Sequence, residues 1–186
     1  AEQDHKSSAV HAEKSAGAKA ALEQAGCTLT IVKALQNASN HSDVTSPDAK
    51  PKWNTFPPTN GPHYGEAALF GAYDEPLQQA RIVHNLEHGG VYIQYGKDVP
   101  AATVAQLKGF YETHQNGTLL APLPQLGRTI AIGAWVAPDN ATSPDRGEGY
   151  LAKCTTYDEK AYEAFFAAYQ FKGPERFPAS AMAPGS

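Results

Sequence analysis

Cysteine is nearly absent from the chain, which has only Cys27 and Cys154 among its 186 residues. Two residues so far apart exclude a C-x-x-C redox motif. Such a pair is typical of one structural disulfide that closes a long loop, and two free buried thiols are the alternative. Because disulfides persist in oxidising compartments, the cysteine content favours a protein that works outside the cytoplasm.

Long apolar runs and basic stripes are also missing. No segment approaches the roughly 20 apolar residues that a membrane-spanning helix needs, so we expect no membrane insertion of the given chain. The 15 Lys and Arg residues are scattered and the net charge is −4, which argues against nucleic acid as a partner. There is no glycine-rich phosphate cradle and no G-x-S-x-G motif, which argues against nucleotide binding and serine hydrolysis.

The N-terminus and the asparagines carry further signs of export. The chain begins at Ala1 without a methionine, which is the end that removal of a signal peptide or anchor leaves, although recombinant expression can leave the same end. Sequons of the Asn-X-Ser/Thr type occur at Asn37, Asn40, Asn116 and Asn140, and such sites are glycosylation acceptors in secreted proteins. We therefore expect a secreted, periplasmic or extracellular protein.

The length of the chain predicts a single domain with a substantial core, since 41% of its residues are hydrophobic. Residues 1–25 are rich in Ala, Lys, Glu and Gln without a strong apolar stripe, which indicates a polar N-terminal tail or solvated helix. Residues 26–186 are predicted to form one α+β metal-binding domain. Within it, residues 37–66 are rich in Pro, Gly, Asn and Ser and form a long loop, either ordered or disordered.

Local patterns after this loop predict a mixed β-sheet packed with helices. We expect a short strand or helix between Gly26 and Leu35, and a helical or turn-like segment from Pro76 to Leu86 that ends at Gly89-Gly90. Further along the chain the patterns predict strands at 91–95, 129–136 and 149–155, and helices at 101–114 and 158–171.

Histidine supplies the strongest chemical signal. His84 and His88 are one helical turn apart, so on a helix both imidazoles can face one metal ion. His63 lies on a rigid Pro/Gly loop, and His41 and Met182 are further candidate ligands. Imidazoles with an optional thioether, in a chain whose cysteines form a disulfide, favour a mononuclear copper site, with zinc as the alternative ion. The predicted function is metal binding for handling or sequestration, with the protein partner unknown.

Two residues between the paired histidines keep other functions open. Glu87 and Asn85 are expected to hydrogen-bond the ligating histidines and so to fix their imidazole tautomers, without binding the ion themselves. The run His84 to His88 also spells H-x-x-E-H, the inverted zinc-protease motif, which needs a downstream glutamate such as Glu159 or Glu163. A metal-dependent enzyme, either a zinc hydrolase or a copper oxidoreductase, is therefore one alternative. An interaction domain with purely structural histidines is another.

Several longer motifs resemble a known family. They are the segment from Phe56 to His63, Gly71-Ala72-Tyr73, the segment from Val83 to Val91, and Gln94-Tyr95. Together they resemble the bacterial family catalogued as domain of unknown function 3105, in which a PPTSGPH-like loop precedes a VHNLEHG segment. The likeness runs from about Gly26 to the C-terminus, with Asn60 in place of the usual serine.

The resemblance implies an exported protein, because members of the family look secreted or membrane-anchored. It also implies a site built on the motif histidines His63, His84 and His88, with His41 as the upstream histidine, although Ser42 stands where an apolar residue is usual. Two distant cysteines recur in the family. The family name assigns no activity.

Overall fold

The computed structural model describes residues 2–36, 41–138 and 147–186, and within them the chain forms one six-stranded sheet packed with helices. The helices are α1 (Glu2–Gln24), α2 (Gln79–Glu87), α3 (Ala101–Glu112) and α4 (Glu159–Tyr169), and the strands are β1 (Thr28–Lys33), β2 (Gly71–Ala72), β3 (Val91–Tyr95), β4 (Thr118–Pro122), β5 (Ile130–Val136) and β6 (Glu148–Cys154). This architecture confirms the predicted α+β fold. The sequons at Asn37, Asn40 and Asn140 lie outside the described residues.

The sheet is mixed, with the strand order β1-β6-β5-β3-β4-β2. The half formed by β1, β6, β5 and β3 is antiparallel, and β4 pairs in parallel with both β3 and β2. Parallel neighbours need a crossover connection, and α3 supplies it between β3 and β4. The helix α2 connects β2 to β3, so its C-terminal end lies close to the start of the central strand β3.

Two apolar layers cover the two faces of the sheet. Alternate residues of β3 show the division, because Val91 and Ile93 pack into one layer and Tyr92 packs into the other. Residues of α1, α3 and α4 contribute to the first layer. The second layer contains residues of α2, Trp135 of β5 and Met182 near the C-terminus. The polar loop before β2 and the C-terminal segment lie on this second face, where the candidate site forms.

The N-terminal helix α1 packs against α4 through its C-terminal half. Ala18 and Leu22 are fully buried in the first layer, and Ser15 Oγ hydrogen-bonds the hydroxyl of Tyr169 at 2.8 Å. The rest of α1 has no continuous apolar face, in agreement with its polar composition. Among the described residues no helix combines the length and the apolar character of a membrane span.

A disulfide joins Cys27 and Cys154, as the sequence predicts. It connects the residue before β1 to the last residue of β6, and these two strands pair along their whole length. In the chain-entropy description a crosslink that closes so long a loop stabilises the fold by about 5 kcal/mol. A disulfide is also consistent with a location outside the cytoplasm.

The described part of the long loop, residues 41–66, is ordered although it contains no helix or strand. Asn60 fixes it to the rest of the chain, since its side-chain oxygen accepts a hydrogen bond from the backbone of Leu35 at 2.9 Å and its amide donates to Asn54 at 2.9 Å. The indole of Trp53 donates to the carbonyl oxygen of Pro62 at 2.9 Å. These contacts hold the segment that carries His63.

Candidate metal centre

The last turn of α2 carries three of the candidate residues, and the helix ends immediately after them. The backbone N–H of Gly89 donates to the carbonyl oxygen of Leu86, and that of Gly90 donates to Asn85, which is the Schellman pattern of helix termination. Gly89 has φ +101°, and a Cβ there would lie 2.9 Å from the backbone of Phe171, so glycine is required. The sequence therefore fixes where α2 ends and keeps Glu87 and His88 at its terminus.

The long loop is tied to α2 by hydrogen bonds. The Asn85 side chain accepts from the Ala68 N–H at 2.9 Å and donates to the Ala68 carbonyl at 2.8 Å. The backbone N–H of Tyr64 donates to the carbonyl of Ala80 at 3.0 Å. Both hydrogen bonds thus join the Asn85 amide to the backbone of Ala68, two residues after the end of the loop. Asn85 holds the loop in register with the helix, a different role from the predicted contact with an imidazole.

Four side chains converge between the loop and α2, and we call them the inner group: His41, His63, His84 and Glu87. Each offers one ligand atom, and these atoms all lie within 4.8 Å of one another. Nε2 of His63 is 2.8 Å from Nε2 of His41 and 3.2 Å from Oε1 of Glu87, and Nε2 of His41 is 3.9 Å from the same oxygen. An ion with tetrahedral ligands at about 2.0–2.1 Å separates them by about 3.3 Å. The inner group therefore matches the dimensions of a metal site.

Backbone carbonyls determine which ring nitrogens face the inner group. Nδ1 of His63 donates to the carbonyl oxygen of Gly61 at 2.8 Å, and Nδ1 of His84 donates to that of Tyr64 at 2.8 Å. Each imidazole thus holds its proton on Nδ1 and keeps Nε2 as the ligand atom. Hydrogen bonding of the second ring nitrogen is the usual way that proteins orient metal-binding histidines.

Three of the four side chains of the inner group are almost completely buried. His63 and Glu87 are 0% exposed and His84 is 8% exposed, whereas the side chain of His41 is 39% exposed. The ring of His63 also meets Trp135 edge-on, with the centroids 6.1 Å apart. The group is therefore a buried polar cluster that reaches solvent through His41.

Electrostatics keep two of these imidazoles neutral at pH 7 and Glu87 ionised. Burial, followed by the charge of His63, lowers the pKa of His41, and burial likewise lowers the pKa of His84. Burial alone would raise the pKa of Glu87, but His63, which donates from Nε2 to Glu87 when both of its ring nitrogens carry protons, and the positive charges of the protonated histidines bring it below its ordinary value. Neutral imidazoles and an ionised carboxylate are the forms that bind metal.

A second cluster shares Glu87, and we call it the outer group: Glu87, His88 and Glu175, whose ligand atoms again lie within 4.8 Å of one another. Burial and the neighbouring His84 lower the pKa of His88 to about 4. Burial and the negative charge of Glu87 raise the pKa of Glu175. The structure thus places His84 and His88 in different groups, although their rings are 4.6 Å apart, and Glu87 is the member common to both.

Glu175 is the site residue that sequence reasoning missed as a candidate ligand. It reaches the site because the segment after α4 hydrogen-bonds to the end of α2: the Glu175 N–H donates to the Glu87 carbonyl at 3.0 Å and the Phe177 N–H donates to the His88 carbonyl at 3.1 Å. The only local signal was its position in the Gly173-Pro174-Glu175 stretch of the family resemblance. Its nearness to α2 depends on the whole fold.

The remaining candidates lie elsewhere. Met182 is 1% exposed in the second apolar layer, where it lines a cavity together with His88 and Phe177. Glu163, nominated as a downstream protease glutamate, instead pairs with His114, with His114 Nε2 2.9 Å from Glu163 Oε2. Glu159 lies in the first turn of α4.

Comparison with known proteins identifies a family without a known function. The family model described as "Protein of unknown function (DUF3105)" matches residues 45–181 of the chain. The matched range contains every member of the two groups except His41. No curated protein and no solved structure shows a significant match.

Proposed function

The chain belongs to the family of proteins of unknown function called DUF3105, and we propose that it binds a divalent transition-metal ion in the inner group, outside the cytoplasm. The observation that carries this proposal is the convergence of three imidazoles on the fully buried carboxylate of Glu87. A buried anion is strongly unfavourable unless a cation or hydrogen-bond donors balance its charge.

A metal ion accounts for the inner group better than a proton does. With its proton on Nδ1, His63 directs a lone pair toward both His41 and Glu87, at 2.8 and 3.2 Å. A single proton placed in this space satisfies only one of the two contacts. A cation bound to all four ligand atoms satisfies every contact at once, and it neutralises the carboxylate.

The donor set favours a divalent ion. Three imidazoles and a carboxylate suit Cu²⁺ or Zn²⁺, whereas Cu⁺ prefers the softer thiolate and thioether ligands. Of the two ions, Cu²⁺ forms the more stable complexes with nitrogen and oxygen donors. We therefore name copper as the first ion and zinc as the alternative.

The geometry favours binding over catalysis as the role of the inner group. Four protein ligands can close the coordination shell of a tetrahedral ion, whereas catalytic zinc sites keep an open position. The inverted protease motif requires both of its histidines on one ion, but His84 and His88 belong to different groups. We propose handling or sequestration of the metal as the function, and the disulfide supports a location outside the cytoplasm.

The test is a metal titration of wild-type protein and of His84→Gln, after removal of metals with a chelator. Bound Cu²⁺ and Zn²⁺ are measured by elemental analysis after gel filtration, and affinity is measured by competition with a chelator of known strength. We expect stoichiometric binding by the wild type and a loss of more than about 100-fold in affinity for the variant, because a ligand should matter more than the groups behind it.

His114→Gln is the matched control, since His114 also contacts a glutamate and also donates Nδ1 to a backbone carbonyl. It should bind metal like the wild type. Circular dichroism verifies that all three proteins are folded. Equal binding by the wild type and His84→Gln, or no stoichiometric binding by the wild type, would refute the proposal.

A further inference from the structure

The outer group has the structural features of a built site. His88 is held between two rings, with centroid distances of 4.6 Å to His84 and 4.5 Å to Phe177. Its Nε2 is 3.9 Å from Oε2 of Glu175. Backbone hydrogen bonds between the segment around Glu175 and the end of α2 hold the backbone that carries both side chains. A nitrogen ligand and two carboxylates are therefore brought together by the fold itself.

An unpaired atom of Glu87 provides independent evidence. Its Oε1 faces the inner group, at 3.2 Å from His63. Its Oε2 is buried and accepts no hydrogen bond from the described residues. A buried charged acceptor without a partner is strongly unfavourable. In its ionised form Glu175 increases the cost, because a second carboxylate beside Glu87 then adds negative charge and supplies no donor, and a proton on Glu175 is the alternative partner for this oxygen.

We propose that Glu87 bridges two metal ions, and that the second ion binds Oε2 of Glu87, Nε2 of His88 and the carboxylate of Glu175. This proposal goes beyond the function proposed above and rests on it only through the shared carboxylate of Glu87. Carboxylates bridge two ions through their two oxygens, and two-metal sites in proteins hold the ions about 3.5–4 Å apart. The second cation pairs the oxygen that the inner group leaves unpaired.

The outer ion differs from the inner one in ligands and in access. Its two carboxylates and one imidazole are harder donors than the three imidazoles of the inner group. The preference for copper over zinc should therefore be weaker in the outer group than in the inner group. Three protein ligands leave a coordination position open. His88 also lines a cavity of about 240 Å³ with Phe70, Phe177 and Met182. Because the side chain of Glu175 is also 55% exposed, the outer ion is the exchangeable one, and a small exogenous ligand can reach it.

The experiment counts the ions and assigns each to its group. The outer group is tested with Glu175→Gln and the inner group with His41→Gln, because these two residues are the most exposed of their groups, at 55% and 39% of the side chain. Glu163→Gln is the matched control. Each protein is loaded with Cu²⁺ alone, freed of excess metal by gel filtration, and analysed for copper per chain and by electron paramagnetic resonance.

We expect two copper ions in the wild type and in Glu163→Gln, and one in Glu175→Gln. Two Cu²⁺ ions joined by a carboxylate interact magnetically, so the wild-type signal should be broadened and should integrate to fewer spins than ions. Glu175→Gln should give the sharp signal of a single ion. His41→Gln should weaken the inner ion and leave the outer one.

The possible failures separate the two proposals. One ion in both the wild type and Glu175→Gln, weakened by His41→Gln, overturns the second site and leaves the inner site standing. A proton shared by Glu87 and Glu175 then takes the place of the second ion. Two ions with a signal of two independent spins overturns the bridge. One ion that Glu175→Gln removes and His41→Gln does not affect overturns the inner site as well as the bridge.

Discussion

The protein contains two histidine–glutamate pairs whose local chemistry is similar and whose surroundings differ. In both pairs Nδ1 of the histidine donates to a backbone carbonyl at 2.8 Å and Nε2 faces a glutamate, at 3.2 Å for His63 and Glu87 and at 2.9 Å for His114 and Glu163. Glu163 is 48% exposed, however, and Glu87 is 0% exposed. Water balances the charge of Glu163, whereas Glu87 depends on what the protein places beside it.

The comparison explains why a histidine–glutamate contact is not by itself a metal site. His114 stacks on Phe110, with the ring centroids 3.9 Å apart, and both of its ring nitrogens have partners. His114 follows the end of α3 and Glu163 lies on α4, so their contact joins the two helices. Around Glu87, in contrast, further imidazoles converge, and one carboxylate oxygen accepts no hydrogen bond from the part of the chain that the structure describes. Burial and convergence distinguish the candidate site from the surface contact.

The largest expected difference between the pairs concerns stabilisation by metal. At about 1,000 times its dissociation constant, Cu²⁺ should raise the free energy of unfolding of the wild type by about 4 kcal/mol. Glu87→Gln should remove most of this gain, and Glu163→Gln should keep it and change the metal-free stability by less than about 1 kcal/mol. Chemical denaturation with and without Cu²⁺ measures both quantities. Equal gains in the two variants would mean that the ion binds away from Glu87.

A smaller effect is expected from releasing the loop that carries His63. Asn85→Ala removes two buried hydrogen bonds to Ala68 and leaves that backbone unpaired, which should cost about 2–4 kcal/mol of stability. Metal affinity should also fall, by about 10–100-fold, because His63 and the Tyr64 carbonyl lose their alignment with α2. Asn116→Ala is a control at an asparagine outside the site. Unchanged affinity in a destabilised Asn85→Ala protein would show that the loop keeps its place without this contact.

The smallest effect in this series is the pH dependence of the metal-free protein. The pKa values of His41, His84 and His88 lie below the ordinary value of 6.5. As pH falls, the unfolded chain therefore takes up protons before the folded protein does. The free energy of unfolding should decrease from about pH 6.5 down to about pH 4, the pKa of His88 in the folded protein. Each proton contributes at most about 1.4 kcal/mol per pH unit.

Glu175 opposes this trend, because its raised pKa gives stability that is lost as pH rises above its ordinary value of 4.5. Three histidines, joined below about pH 4.5 by Glu87 with its lowered pKa, outweigh the one carboxyl of Glu175, so acidification causes a net loss of stability. Urea unfolding of chelator-treated protein at pH 5 and pH 7 tests the prediction, and His88→Gln should reduce the difference between the two. Equal stability of the wild type at both pH values would contradict it.

Sequence reasoning found the parts of the fold and the site that local patterns determine. The periodic segments that became α3, α4, β5 and β6 were predicted near their observed positions, and the disulfide followed from the cysteine count. The strand β4 was not predicted, because Thr118–Pro122 is short and follows a turn-like Asn-Gly pair. Its place beside β3 comes from the α3 crossover and from burial, which no short segment reveals.

The same limit applies to the site. His63 and His84 stand in rigid or helical motifs, so their candidacy was visible. The spacing of His84 and His88 indicated a shared ion, but spacing does not report the direction of each ring, and the Tyr64 carbonyl and Phe177 orient the two rings differently. Glu175 was missed because only the backbone pairing after α4 brings it to Glu87.

The hydrogen bonds between the segment around Glu175 and the end of α2 also bear on when an ion can be loaded. The ligands come from the long loop, from α2 and from the C-terminal segment, and they meet only after these segments have packed on the second face of the sheet. Before it folds, the chain offers an ion no more than the neighbouring residues of α2. For the ions proposed above, loading therefore follows folding, and the metal supply of the compartment in which the chain folds determines which ion it acquires.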